Sequence, residues 1–501
     1  MIKENNPKIQ KDRWSYLWLL IGTGLGFFWT MPIVWWLSPV FMLRFTRSQR
    51  PRTGFLLVWL STALSAGYVL YDILNALMPS SLVVYIITTA VTALIMGGLP
   101  YLVDRLFWPR LKGFSATLVL PLIMTSLDYI SAKANPLGSI GAQGYMQYGN
   151  LVLMQLLSIT GMWGIVFLVN WFGPVINWVL EQGFEWKKIR RGTLVYVGIM
   201  LLVLGYGSMR LAYGPMNSST VRIHGITEVD MRGEMLPKLH EARAQSWESY
   251  RELSKELQDL YLNGTLREAE AGAQIVHWPE MAVNLPIEDE GDFMARAQKL
   301  ASDEGIYIVM GLDVNYQDGS PWENKLVIID PDGEVVLEHH KYALVSMEGT
   351  KGGDGILRTV DTPYGTLSGI VCNDTNHEEV VTQAGRNGTD LLFAPSLEYR
   401  AIDPIHAQMA SFRAVENGIT LVRQADNGLS IVVDPYGRML AQTDHWTASD
   451  RVMVAQVPVS SAFSLYSYIG DAFAWLCMLG FVVLWGYVIV QRRQEKQGDQ
   501  G

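Results

Sequence analysis

The chain has 501 residues, 49% of them hydrophobic and 17% charged, with a formal net charge of −9 at pH 7. A soluble globular protein carries about 25% charged residues, so the composition excludes an ordinary soluble chain, and the acidic balance leaves no basic face for nucleic acid. The apolar residues crowd into 14–213 and 468–490, whereas 214–460 has the make-up of a soluble domain. A composition shift that sharp marks domain boundaries.

About 20 apolar residues cross the ~30 Å hydrocarbon core of a bilayer. By that measure the sequence predicts about eight spans, at 14–30, 33–46, 54–74, 83–103, 114–131, 151–177, 194–213 and 468–490. The first two are short, as tilted or partly re-entrant segments would be. A cleaved signal peptide over 1–30 is disfavoured, because no small-residue cleavage site follows and hydrophobicity resumes at once. Asp128, near the outer end of the fifth span, is a candidate to orient an amine or headgroup. Its alternative reading is an interfacial carboxylate already in water.

Lys and Arg positions set the expected orientation. Basic residues stand before the first span (Lys3, Lys8, Lys11, Arg13) and in alternate loops (Arg44 to Arg52, Arg105 to Lys112, Lys187 to Arg191). They recur after the last span (Arg492, Arg493, Lys496), while 75–82 has none and 132–149 has only Lys133. Both termini are therefore expected in the cytoplasm of a bacterial plasma membrane protein. The expected domains are a membrane part over 1–213 with about seven spans, an external (periplasmic) domain over 214–467, a final span over 468–491 and a tail over 492–501.

Within 214–460, strand candidates fall at Gln274–His277, Ile306–Gly311, Lys325–Asp330, Leu367–Cys372, Asp390–Ala394, Thr420–Arg423, Ser430–Val433 and Val452–Val457. Amphipathic helical stretches at 238–262, 291–303 and 405–417 lie between them. Turns such as Asp330-Pro331-Asp332-Gly333 and Asp434-Pro435-Tyr436-Gly437 predict hairpins. The pattern predicts a layered α/β domain with helices covering mixed sheets.

Only two cysteines exist, Cys372 and Cys477, and the second falls inside the last apolar run. Cys372 is then an unpaired thiol in an exported domain, where cysteines are usually paired or absent. The bland reading is a buried thiol acting as a small hydrophobe. Three strand ends carry candidate chemistry: His277-Trp278-Pro279-Glu280, His339-His340-Lys341, and Gly369-Ile370-Val371-Cys372-Asn373-Asp374. A cysteine nucleophile needs a base to take its proton, which Glu280 supplies if partial burial raises its own pKa. Lys341 and the backbone N–H after Cys372 are placed to stabilise an oxyanion. A surface-turn glutamate and a solvated hairpin lysine are the bland alternatives.

These residues resemble the nitrilase superfamily, whose catalytic set is Glu, Lys and Cys in that chain order. With membrane spans on both sides, the chain is similar to the bacterial apolipoprotein N-acyltransferases. Gly144-Tyr145-Met146-Gln147 resembles that family's Gly-Tyr-x-Gln element, which brings Tyr145 into the candidate site. Phe412 to Gly418, Asp426-Asn427-Gly428 and Ser464 to Asp471 resemble its later segments. The resemblance implies an αββα sandwich joined to a bundle of about eight helices. It also implies two-step transfer of a fatty acyl chain, with Cys372 first acylated by a glycerophospholipid. The acceptor it implies is the α-amine of a diacylglyceryl-modified cysteine on a lipoprotein, and no cofactor is needed. Two departures bear on donor and acceptor choice: Asn373-Asp374 stands where the family has an aromatic residue and Glu, and Ser346-Met347-Glu348-Gly349 stands for Pro-Phe-Gly-Glu. Glu348 is the candidate replacement for that second Glu.

A metal site at His339, His340, His377 and Glu378 is not expected, because the spacing fits no zinc pattern. Gly352-Gly353-Asp354-Gly355 lacks the Lys-Ser/Thr ending of a phosphate loop. Two further readings remain: a membrane-tethered amidase or acyltransferase acting on a different lipid or amine, and a lipid-binding scaffold with a vestigial triad.

Overall fold

The computed structural model describes residues 12–77, 82–214, 219–344 and 349–498. They form two compact units. One comprises the chain up to Ala132, Gly141–Met209 and Asp471 onward; the other comprises Lys133–Ile140 and Arg210–Gly470.

The first unit is helical. Six helices among the described residues are long and apolar enough to cross a membrane: Pro51–Asn75, Leu82–Arg110, Gly113–Ala134, Met162–Glu181, Trp186–Tyr213 and Ala472–Gln494. The expected first two spans are instead helices of 12 and 17 residues, Ser15–Gly26 and Pro32–Ser48, both under the ~20 residues a span needs. The run expected as one span over 151–177 is also divided. Gly161, at φ +59°, separates two single helical turns from Met162–Glu181. At one end of this unit Arg47 donates bidentately to Asp104, both at 2.9 Å, and also to Glu181 at 3.0 Å. A bidentate guanidinium–carboxylate pair fixes geometry as well as charge, so three helices are registered by one buried cation.

The second unit contains two sheets. In chain order the strands are β1 (Thr220–Ile226), β2 (Ile275–His277), β3 (Val283–Pro286), β4 (Tyr307–Asn315), β5 (Trp322–Ile329), β6 (Val335–His340), β7 (Thr350–Lys351) and β8 (Thr359–Thr362). There follow β9 (Gly365–Gly369), β10 (Leu391–Phe393), β11 (Ser396–Leu397), β12 (Thr420–Arg423), β13 (Ala425–Asp426), β14 (Leu429–Val433), β15 (Met439–Asp444) and β16 (Val452–Pro458). One sheet runs β16-β1-β2-β4-β5-β6, with β3 paired to β4 and β7 to β5; the other runs β15-β14-β12-β10-β9-β8. Both mix parallel and antiparallel pairs, as the hairpin turns predict.

The sheets pack face to face. Ile223, Ile275, Val309 and Leu326 from one meet Leu367, Leu391, Phe393 and Val422 from the other in one buried cluster. The outer face of the first sheet is covered by Leu236–Gln245, Trp247–Glu270 and Glu290–Glu304, through Leu239, Leu257, Tyr261 and Phe293. The outer face of the second is covered by Glu378–Arg386 and Ile405–Asn417, through Val380, Val381, Ala407 and Ala414. This is the expected αββα sandwich. Covering on both faces explains why all nine residues of β4 are buried, whereas the edge strand β16 alternates between buried and exposed positions.

Candidate active site

Parallel strands bring the candidate residues to one end of the sandwich. Beyond β2, Pro279 ends the ladder and Glu280 follows, with its backbone pressed against β4. A Cβ at Gly311 would stand 2.2 Å from the Pro279 carbonyl oxygen and 2.8 Å from Glu280 Cα, so only glycine admits this approach. Lys341 follows β6 directly, its backbone N–H donating to the Asn324 carbonyl at 2.8 Å. Its Nζ donates to Glu280 Oε1 at 2.9 Å, and both side chains are buried. Asn324 Nδ2 donates to the same oxygen at 2.7 Å, and the Leu397 backbone N–H donates to Oε2 at 2.9 Å. The Glu280 carboxylate is thus fixed from both sides.

Cys372 lies just past β9, at the start of the 3₁₀ turn Cys372–Asn376. Its φ of +47° is in the left-handed region, a strained setting that costs ~1–3 kcal/mol for a residue with a Cβ. The turn is held by Cys372 N–H donating to the Pro395 carbonyl at 2.9 Å and by Thr375 Oγ1 donating to the Cys372 carbonyl at 2.7 Å. Burial pushes the thiol pKa well up; the negative charges of Glu280 and Glu398 add to this, and Lys341 and Arg423 oppose it. The sulfur therefore rests as a thiol within the field of Glu280 and Lys341.

The residues after Cys372 turn inward. Asp374 is fully buried and accepts from Val371 N–H at 3.0 Å, Tyr342 N–H at 3.1 Å and Ala343 N–H at 2.7 Å. His339 Nε2 lies 3.0 Å from the same carboxylate. One side chain thus ties the residue before Cys372 to the two after Lys341. Asn373 Nδ2 donates to the Ala343 carbonyl at 3.2 Å, and its Oδ1 accepts from Asn376 Nδ2 at 2.8 Å. The Asn376 carbonyl in turn accepts from Ser139 N–H at 3.0 Å and from Ser139 Oγ at 2.9 Å.

Two further residues, not singled out in the sequence, border the sulfur, and a third, Arg423, pairs with one of them. Cys372 Sγ, a Glu398 carboxylate oxygen and a His406 ring nitrogen lie within 4.8 Å of one another, all buried. Glu398 takes an ion pair from Arg423 and a contact of 2.9 Å from His406 Nδ1. Burial opposes ionisation there, but His406 and Arg423 hold the Glu398 carboxyl down to about 2. Asn376 Nδ2 lies 3.0 Å from His406 Nε2, so the asparagine links this cluster to the cysteine turn. The available signals were Arg423, a charge ending an apolar strand, and His406 on the buried face of a predicted helix.

Asp128 and Tyr145 belong to the helical unit. Asp128 is 2% exposed and accepts from Gln143 N–H at 2.9 Å, so it is a buried carboxylate and not, as its alternative reading had it, one already in water. Glu348 lies outside the described residues. His339, His340 and His377 do not converge, being directed to Asp374, Glu338 and Glu379 respectively.

Residues 237–465 match the family model for carbon-nitrogen hydrolases. Among curated proteins the chain is 24% identical over 491 residues to an apolipoprotein N-acyltransferase of Geobacter metallireducens, with 90% of each chain covered. It is 22% identical over 376 residues to an apolipoprotein N-acyltransferase of Rickettsia prowazekii, covering 69% of this chain and 71% of that one. Among solved structures, an amidase from Nesterenkonia sp. is similar at 21% identity and a TM-score of 0.40, covering 52% of this chain and 96% of that one. The resemblance read from the motifs is borne out: membrane-length helices stand beside a domain that matches the carbon-nitrogen hydrolase model, and the chain is similar along most of its length to apolipoprotein N-acyltransferases.

Proposed function

We propose that this membrane protein, with its carbon-nitrogen hydrolase domain, is an apolipoprotein N-acyltransferase that works through a Cys372 thioester. The observation that carries this reading is the buried Lys341–Glu280 contact of 2.9 Å beside a strained, protonated cysteine. Relatives of that name match over most of their length.

In the first half-reaction Glu280 takes the thiol proton as Cys372 Sγ attacks the ester carbonyl of a glycerophospholipid. A base is required because the buried thiol is not ionised at rest. The oxyanion is met by the Lys341 ammonium and the backbone N–H after Cys372. Collapse breaks the ester C–O bond, and the departing alkoxide takes the proton from Glu280, leaving a thioester and a lysophospholipid. In the second half-reaction the α-amine of a diacylglyceryl-cysteine attacks the thioester, and Glu280 accepts the amine proton. The C–S bond breaks, and the thiolate takes that proton back to regenerate the thiol beside an amide.

Asn324 and the Leu397 N–H keep the base oriented, and Asp374 keeps the Lys341 and Cys372 segments in register. Membrane attachment suits two lipid substrates, since exposing a chain to water costs about 0.8 kcal/mol per CH₂. The basic loops support an orientation with the α/β domain outside the cytoplasm.

The acceptor assay tests the reading. Purified full-length protein in phospholipid vesicles is expected to add an amide-linked third chain to a diacylated lipopeptide. Release of free fatty acid with no acylated lipopeptide would instead assign a hydrolase.

A further inference from the structure

Two guanidiniums stand on aromatic plates next to the Glu398 segment, one bonded to the Glu398 carbonyl and the other two residues further along the chain. The Arg232 guanidinium lies 3.6 Å over the Tyr399 ring, and that of Arg400 lies 5.0 Å over the Trp446 ring. Arg232 is anchored by Nε donating to the Glu398 carbonyl at 2.6 Å and Nη2 donating to the Leu397 carbonyl at 3.3 Å. Its backbone N–H donates to Asn427 Oδ1 at 3.0 Å, and Asn427 N–H meets His445 Nδ1 at 3.2 Å. The His445 ring packs on Trp446 at 4.7 Å, which closes a ring of contacts from Arg232 through Trp446 and Arg400 to Tyr399.

The cations of the active site proper are already committed, Lys341 to Glu280 and Arg423 to Glu398. Among the described residues neither Arg232 nor Arg400 has a carboxylate partner. The nearby acids are engaged otherwise: Asp230 with Asn427 and Gly233, Asp426 with Met231, and Asp444 with the Trp446 N–H. A guanidinium stacked on a ring holds its edge donors in a fixed fork, the geometry that grips a phosphate bidentately; Arg400 offers that fork, whereas Arg232, with Nε and Nη2 given to backbone carbonyls, adds Nη1 and its charge.

We propose that Arg232 and Arg400, stacked on Tyr399 and Trp446, form the phosphate subsite for the glycerophospholipid donor. Arg400 is two residues beyond Glu398, a reach of about 7 Å of extended chain, and the Glu398 carboxylate lies within 4.8 Å of Cys372 Sγ. In a glycerophospholipid only the short glycerol backbone separates the phosphate from the scissile ester, so the two ends of one donor fit the two sites. The inference rests on the acyl-donor reading of Cys372. Arg400 is the cleaner probe, because it is exposed whereas Arg232 also holds backbone carbonyls.

The test is the rate of Cys372 thioester formation in the full-length protein, with phosphatidylglycerol and with p-nitrophenyl palmitate, an acyl donor lacking phosphate. Arg400→Gln is expected to lower loading by phosphatidylglycerol about tenfold relative to loading by the palmitate ester, chiefly through KM, as loss of a charge-assisted hydrogen bond predicts. Arg400→Lys, which keeps charge and loses the fork, is expected to recover part of that ratio. An equal fall with both donors, or no fall, overturns the subsite. A site for free phosphate is distinguished too: it leaves the donor ratio unchanged while inorganic phosphate slows both loadings, and that result also overturns the proposal. Failure of the unmodified protein to load from either donor overturns the thioester reading itself.

Discussion

The carboxylate of Glu398 and the sulfur of Cys372 lie within 4.8 Å of each other in the interior, and the carboxylate's ion partner is Arg423. Glu398 therefore acts on the thiol through its charge. Its negative field adds to burial in keeping the sulfur protonated, and the positive field of Arg423 opposes it. Glu398→Gln removes the first and leaves the second unopposed, so the thiol should titrate at lower pH. Iodoacetamide alkylation of Cys372 against pH, in a Cys477→Ser background, should show an earlier rise; an unchanged or later rise would contradict this account. The variant should also lose about 3–5 kcal/mol of stability, because Arg423 is left buried without its partner.

Glu280 and Lys341 form a second buried pair. Glu280→Gln should slow thioester formation by ~10² or more if Glu280 is the general base. It should also lower thermal stability, since Lys341 keeps its charge and loses its acceptor. Glu280→Gln combined with Lys341→Met should recover much of that stability and none of the activity. A double variant no more stable than the single one would show that the pair's charge is unimportant to the fold.

Asn373 and Asp374 stand where the resembling family has other residues, which pointed to donor or acceptor choice. Their placement points instead to scaffolding, because both are buried and bonded to the segment after Lys341. Asn373→Tyr removes the bonds to Ala343 and Asn376 and adds bulk, so it should lower the melting temperature and kcat together. Acceptor preference, compared across lipopeptides, should not change; a changed preference at unchanged stability would restore a specificity role.

Asp313 provides a prediction for pH and stability. Burial pushes its carboxyl up to about 7, against about 3.9 in an unfolded chain. A carboxyl raised on folding favours the native state below the unfolded value, and that contribution is lost as pH rises toward the folded value. Stability should therefore decline from about pH 4 to pH 7 through this group. Asp313→Asn can still accept from Asn284 Nδ2, now 2.5 Å away, and should be more stable than the parent by on the order of 2–3 kcal/mol at pH 8. Thermal melts at pH 5 and pH 8 check this, and a variant that is less stable at pH 8 would contradict it.

Much of the architecture was legible because burial imposes a period. Thr420–Arg423 is a strand in both sequence and structure, and the predicted helix over 405–417 spans Ile405–Asn417. Other elements obeyed local chemistry that hydropathy does not register. The stretch 238–262 is two helices, because Ser246 leaves the helical conformation and its side chain caps the second by accepting from Ser249 N–H at 3.0 Å. In the site, Glu280, Lys341 and Cys372 each follow a strand, and a charged or nucleophilic residue at the end of an apolar run is visible in sequence. Glu398 and Asn324 were not, because their partners are distant in the chain, and Arg423 showed only as a charge ending an apolar run, with no sign of its partner. Asn324 reaches Glu280 only after β5 pairs with β4, and Arg423 reaches Glu398 only once β12 pairs with β10.

The central claim is that Cys372 carries the acyl group. It is tested most directly by incubating the full-length protein with a phospholipid bearing an isotopically labelled acyl chain, then measuring the mass of the Cys372 peptide under conditions that preserve thioesters. The account predicts a labelled acyl adduct on Cys372 that hydroxylamine removes, that is absent from Cys372→Ala, and that is consumed on adding a diacylated lipopeptide. Acylated lipopeptide formed at the normal rate by Cys372→Ala would contradict it.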